Sequence, residues 1–101
     1  MSEYDLTTVT ADTFTPVIGQ TFDVVFVDGR LPLTLAEVRP LGSMRPGTGN
    51  AAFALTFHGA PNLRFPQQIY RLENATLGAL EIFIVQFAAA ADASKFEAVF
   101  N

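Results

Sequence analysis

Apolar residues recur at every second position in several stretches of this chain, the period of a β-strand with one buried face. In Thr21–Val27, Phe22, Val24 and Phe26 share one phase, with Thr21, Asp23 and Val25 on the other. Phe53, Leu55 and Phe57 alternate with Ala54, Thr56 and His58, and Phe96, Ala98 and Phe100 alternate with Glu97 and Val99 in a final strand, Lys95–Asn101. Leu31, Leu33 and Leu35 open a strand Leu31–Leu41 in phase, but Val38 and not Glu37 is the next apolar residue on that face. One extra residue near Ala36-Glu37 predicts a bulge that bends the strand. The stretch Tyr70–Phe87 reads as strand, turn, strand, with Thr76-Leu77-Gly78 at the turn and Gly78 free to take a positive φ. Its second strand is apolar on both phases: Leu80, Ile82 and Ile84 on one, Phe83, Val85 and Phe87 on the other. That pattern predicts a strand covered on both faces.

The punctuation between these stretches fits the same plan. Asp28-Gly29 is a two-residue hairpin signal, Gly42–Asn50 a glycine-rich loop, and Pro66 keeps Leu63–Gln67 irregular. Pro32 belongs at a strand start or on an unpaired side. A single short helix is expected over Ala11–Phe14, capped by Thr10 and closed by Pro16, with Phe14 and Ile18 plugging one end of a sheet. One short helix cannot cover a six-stranded greasy sheet, so the sheet must cover itself. The expected fold is all-β with minor α: a single domain over residues 1–101, an antiparallel barrel or sandwich of about six strands, with the barrel preferred. Its core gathers Phe22, Phe26, Leu33, Phe53, Leu55, Phe57, Leu72, Ile82, Ile84, Phe96 and Phe100.

Composition narrows the function by exclusion. Half the residues are hydrophobic and 16% are charged, which places the chain among globular proteins. It has no cysteine, hence no disulfide and no thiolate chemistry. A net charge of −4 with six scattered basic residues argues against a nucleic-acid partner. The polar, acidic start MSEYDL is unlike a signal peptide, and Glu81, Gln86 and Asp92 interrupt the apolar region short of a membrane span. No membrane association and a cytoplasmic location are expected.

Candidate chemistry is thin. Gly42 and Gly47 have the spacing of a phosphate-binding loop, but Thr48 follows and no lysine does. His58 is the sole histidine, on the outward phase of its strand, and no clustered ligands accompany it. Ser2, Ser43 and Ser94 stand in a tail or loops without a nucleophile elbow. Asp23, Glu37, Glu73 and Glu81 fall on or beside strands, where two could meet as an acid–base pair. Arg71 and Glu81 flank their turn at nearly matched distances, which predicts cross-strand pairing of the two. Asn74-Ala75-Thr76 matches a glycosylation sequon without a secretory signal beside it. The expectation is therefore no enzyme, no catalytic residue, no cofactor and no metal.

Four blocks carry a resemblance: Thr13–Gly19 (TFTPVIG), Phe53–Pro61 (FALTFHGAP), Tyr70–Glu73 with Leu77–Val85 (YRLE, LGALEIFIV), and Phe96–Asn101 (FEAVFN). Together they span nearly the whole chain and resemble a small bacterial family of domains of unknown function. That family usually shows His-Pro where Asn74-Ala75 stand, a proline near Gln86 and tyrosine at Phe96. The resemblance brings no catalytic residue with it and implies a setting beside phage-tail-collar-like genes. Two functions are expected from these readings. The first is a non-enzymatic structural or protein-interaction module, an accessory to a phage-tail-like assembly or a released tail-like particle, acting with a protein partner or as a homo-oligomer. The alternative is a small-molecule or glycan-binding barrel using Tyr4, Arg45, His58 or Tyr70 at its mouth.

Overall fold

The computed structural model describes residues 9–46 and 50–100. Six strands follow one short helix, α1 (Ala11–Phe14), and a 3-10 turn (Thr15–Val17): β1 (Thr21–Phe26), β2 (Gly29–Met44), β3 (Ala51–Gly59), β4 (Gln68–Asn74), β5 (Gly78–Ala89) and β6 (Ser94–Phe100). They close into an antiparallel barrel in the order β1-β2-β3-β6-β5-β4.

Two long strands turn the corners of this barrel. The Gly29–Thr34 part of β2 pairs with β1 and its Thr34–Met44 part with β3, the change of neighbour falling at Thr34, just before a register shift between Leu35 and Glu37. That shift is the bulge expected from the slipped phase at Ala36-Glu37; the extra residue increases the local twist. β5 behaves alike: Gly78–Ile84 pair with β4 and Val85–Ala89 with β6, with a shift between Gln86 and Ala88. Pro32 lies before Thr34, where β3 joins β2, and Pro40 lies beyond the reach of β1, so neither proline sits between two neighbours.

The barrel is filled from within and stoppered at both ends. Phe22, Leu33, Leu55, Phe57, Leu72, Ile82, Ile84 and Phe96 are fully buried along the strands. Phe14 of α1 closes one end over Phe53 and Phe100, whose rings stack at 4.7 Å. Phe65 closes the other against Phe26, Tyr70 and Phe96. Its loop is held by two buried or half-buried side chains. Gln86 accepts from the Phe65 N–H at 2.7 Å and donates to the Leu63 carbonyl, while Ser94 Oγ accepts from the Leu63 N–H at 2.8 Å.

Several expectations are corrected. Phe26 is 38% exposed, because it ends β1 at the hairpin and lies against the end cluster rather than inside it. Ile18 is exposed and Val17 is buried, since Pro16 does not stop the helical segment but enters the 3-10 turn, rotating Val17 inward. Phe26 pairs with Gly29, so the first hairpin turns on Val27-Asp28 and not on Asp28-Gly29. Asn74 pairs with Gly78 across Ala75-Thr76-Leu77, with Gly78 at φ +82°, the expected left-handed residue. The largest correction concerns β5. Its Leu80, Ile82 and Ile84 face is buried, but Phe83 and Phe87 are half exposed, because in a single-layer barrel the convex side has no second sheet to cover it.

Candidate interaction site

Apart from its register shifts, the strand ladder is short at two places. Between β1 and β4 it consists of Asp23↔Glu73 and Val24↔Leu72 alone. Between β5 and β6 it stops at Val85↔Glu97, although both strands run on. Continuing that register would bring Ile84 opposite Ala98, Phe83 opposite Val99 and Ile82 opposite Phe100. A cleft of about 250 Å³ opens there instead, lined by Arg45, Ile69, Glu81, Ile82, Phe83, Val99 and Phe100.

The cleft has an apolar rim. Ile69 of β4 stands opposite Phe83 of β5, and Val99 of β6 lies on the far side of the opening. All three point outward and are exposed, Ile69 by 64%, Phe83 by 50% and Val99 by 46%. Apolar rings and branched chains in one row across three strands differ from scattered surface residues, which occur on every protein. Arg45 sits at the open end, its guanidinium carbon 5.6 Å from the centre of the Phe100 ring and its Nη1 donating to the Val9 carbonyl at 3.0 Å. It reaches this place because Arg45 N donates to Asn50 O at 2.7 Å, closing the β2–β3 connection behind Met44.

Of the residues singled out in the sequence, the cleft gathers Arg45 and Glu81. Arg71 stands opposite Glu81 in the register, as expected, while its Nε donates to Glu73 at 3.1 Å along its own strand. His58 is elsewhere, exposed on the outer face of β3 between Thr34 and Lys95. Tyr70 is buried and its hydroxyl donates to the Pro66 carbonyl at 2.6 Å, with desolvation raising its pKa. Tyr4, Ser2, Gly47 and Thr48 lie outside the described residues. Asp23 and Glu73 do meet across β1 and β4, but as an ion-pair cluster. Arg30 Nη1 lies 2.6 Å from Glu73 and 3.9 Å from Asp23, and the bonds from Arg30 and then Arg71 hold the Glu73 carboxyl below its usual range. A carboxylate so held is an anion at neutral pH and a poor proton donor. Among the described residues, no group of three or more His, Asp or Glu side chains could hold a metal. No helix of the described residues is long and apolar enough to cross a membrane.

Asn74, the first residue of the sequon, has a structural task. It is 6% exposed; its Nδ2 donates to Gln20 Oε1 and the Thr21 carbonyl, and its Oδ1 accepts from the N–H groups of Thr76 and Leu77. The side chain thus shapes the β4–β5 turn and ties it to β1 beside the short ladder. Sequence reasoning missed the exposed Ile69–Phe83 pair, since the phase of Phe83 on β5 predicts a second buried face. The signal available was Gln86, a polar break in the apolar run where β5 changes neighbour.

The described molecule is thus a closed six-stranded antiparallel barrel with stoppered ends and an incomplete ladder between β5 and β6. The chain belongs to a family described as a domain of unknown function (DUF6916), whose sequence profile matches residues 9–100. No curated protein and no solved structure matches the chain.

Proposed function

We propose that this domain is a non-enzymatic protein-interaction module that docks through the outer face of β4, β5 and β6. The exposed row Ile69, Phe83 and Val99 beside the β5–β6 opening carries this reading. Apolar side chains gathered on one face are the surface a partner covers, while the carboxylates near one another are committed to Arg30 and Arg71. The small-molecule alternative draws less support, because side chains fill the barrel and aromatic clusters occupy both mouths. The partner is a protein or a second copy of the chain, and an accessory role in a tail-like assembly is the setting that the family resemblance implies.

The test is association measured with and without this face. Purified protein is examined by light scattering at micromolar concentration, and partners captured from source cells are purified and rebound to it. Ile69→Ser with Phe83→Ser is expected to abolish self-association or rebinding while leaving the melting temperature nearly unchanged, because both side chains are exposed. A chain that remains a monomer and rebinds no purified partner would sink the proposal, as would association indifferent to the double substitution.

A further inference from the structure

We infer that the β1–β4 seam is an electrostatic clasp: Arg30, reaching from β2 over β1 to Glu73 on β4, holds shut the shortest ladder of the barrel, and weakening its hold lets the ring part there without global unfolding. The inference goes beyond the docking reading and does not depend on it. Three observations converge on it. First, backbone pairing between β1 and β4 is confined to Asp23↔Glu73 and Val24↔Leu72, whereas β1 pairs with β2, and β4 with β5, along their whole lengths. Second, Val24 and Leu72 are buried in the core, while the outward pair sets two carboxylates face to face. Like charges directly opposite one another destabilise a strand pair. Third, Arg30 brings the opposite charge over that same pair. It stands across from Val25, two residues along the same face of β1 from Asp23, and its Nη1 lies 2.6 Å from Glu73 Oε1 and 3.9 Å from Asp23 Oδ2. Beyond the ladder, the Asn74 amide donates to the Thr21 carbonyl at one end of the seam, and Phe26 meets Tyr70 edge to face at the other.

Parting β4 from β1 does not break all of these charge contacts. Arg30 and Asp23 stay together on the β1–β2 side, and Arg71, whose Nε donates to Glu73 Oε2 at 3.1 Å, leaves with β4. The Arg30–Glu73 pair crosses the seam and is lost. A half-exposed ion pair adds little to the stability of a whole fold. Here it acts on a local opening that breaks few backbone bonds, so the same interaction shifts the open population severalfold.

The chain has no cysteine, so one introduced thiol reports on the seam. Val24→Cys places it on the inner side of the short ladder, and Leu55→Cys places it on β3 between β2 and β6. Both are labelled in the full chain with N-ethylmaleimide, an uncharged reagent, over a series of low urea concentrations, and each rate is divided by that of the unfolded chain. Opening at the seam alone exposes little surface, so Val24→Cys is expected to label faster than Leu55→Cys and with a much shallower dependence on urea. Arg30→Gln is expected to speed that shallow route about fivefold, the scale of one partly exposed ion pair. Raising sodium chloride from about 0.01 M to about 1 M shortens the Debye length from about 30 Å to about 3 Å, and is expected to speed labelling with Arg30 in place but not with Arg30→Gln. Asp23→Asn added to Arg30→Gln removes the facing charge and is expected to slow labelling again by about twofold. Leu72→Cys, on the other side of the same pair, repeats the measurement and decides it if Val24→Cys does not fold. One urea dependence shared by the seam and β3 thiols would overturn the seam as a separate opening, and a shallow route indifferent to Arg30→Gln would overturn the clasp. Salt acting alike with and without Arg30 would overturn its electrostatic origin, and labelling unmoved by Asp23→Asn would overturn the opposing role of the facing carboxylates.

Discussion

At the scale of single residues, the side chains that matter most here are polar ones serving backbone. Asn74 is the clearest. Its Oδ1 accepts from two consecutive N–H groups of the β4–β5 turn, and its Nδ2 reaches Gln20 and Thr21 at the same time. Asn74→Ala leaves buried donors and acceptors unpaired and is expected to cost about 1–3 kcal/mol in urea unfolding, with the midpoint moved and the slope unchanged. Substitution within 0.5 kcal/mol of neutral would contradict the assignment. Glu73 acts through charge. Its folded pKa is lowered, chiefly by the hydrogen bond from Arg30, so the stability it contributes is present above the unfolded carboxylate range and is lost as pH falls through the folded value. Parent and Glu73→Gln melting temperatures should therefore differ most at neutral pH and converge in acid. A gap that widens on acidification would show that the sign is wrong.

At the scale of elements, the alternating pattern made the strands legible, and the departures have physical causes. Strand existence, the Leu35–Glu37 bulge and most of the core follow from period and phase alone, because a one-residue slip reverses which face is buried. The exposure of the second face of β5 is not legible, because apolar residues on both phases fit a covered strand and an uncovered convex face equally well. Apart from the polar break at Gln86, the incomplete β5–β6 ladder left no trace in the period, since it depends on which partner each half of β5 takes. The β3–β4 connection shows the same limit. Nothing local in Leu63–Gln67 marks Phe65 as a stopper; Gln86 and Ser94, far along the chain, put it there. Gln86→Ala should release this loop and lower stability by about 1–3 kcal/mol, seen as faster amide exchange at Phe65. Gly59 supports the same corner, since a Cβ would stand 2.8 Å from Leu33 Cδ2, with Leu63 and Phe96 close behind. Gly59→Ala is thus expected to cost about 1–3 kcal/mol by overpacking, read as a lower urea midpoint.

At the scale of the molecule, the ring is two pieces joined by unequal seams. β1, β2, β3 and β6 form one arc with long ladders, and β4 with β5 forms a fully paired hairpin. The hairpin is joined to β1 by a minimal ladder and to β6 by only the Val85–Ala89 end of β5. Hydrophobic contact, not the ladder, does most of the joining: Leu72, Leu80, Ile82 and Ile84 are the hairpin's contribution to the core. Ile82→Ala and Phe57→Ala should each cost about 2–5 kcal/mol, but by different routes. Phe57 lies in the middle of the arc, opposite Leu35 on β2 and Phe96 on β6, so its loss weakens the whole fold. Ile82 lies on the hairpin beside the incomplete β5–β6 ladder, so its loss weakens the attachment of one piece to the other. Native-state hydrogen exchange distinguishes the two routes. Amides across β3 and β6 should exchange only through global unfolding, whereas those along the Ile82–Ile84 edge should exchange at lower free energy, and Ile82→Ala should widen that difference. If every strand amide exchanges at one free energy in both parent and variant, the ring opens as a single unit and the two-piece description fails.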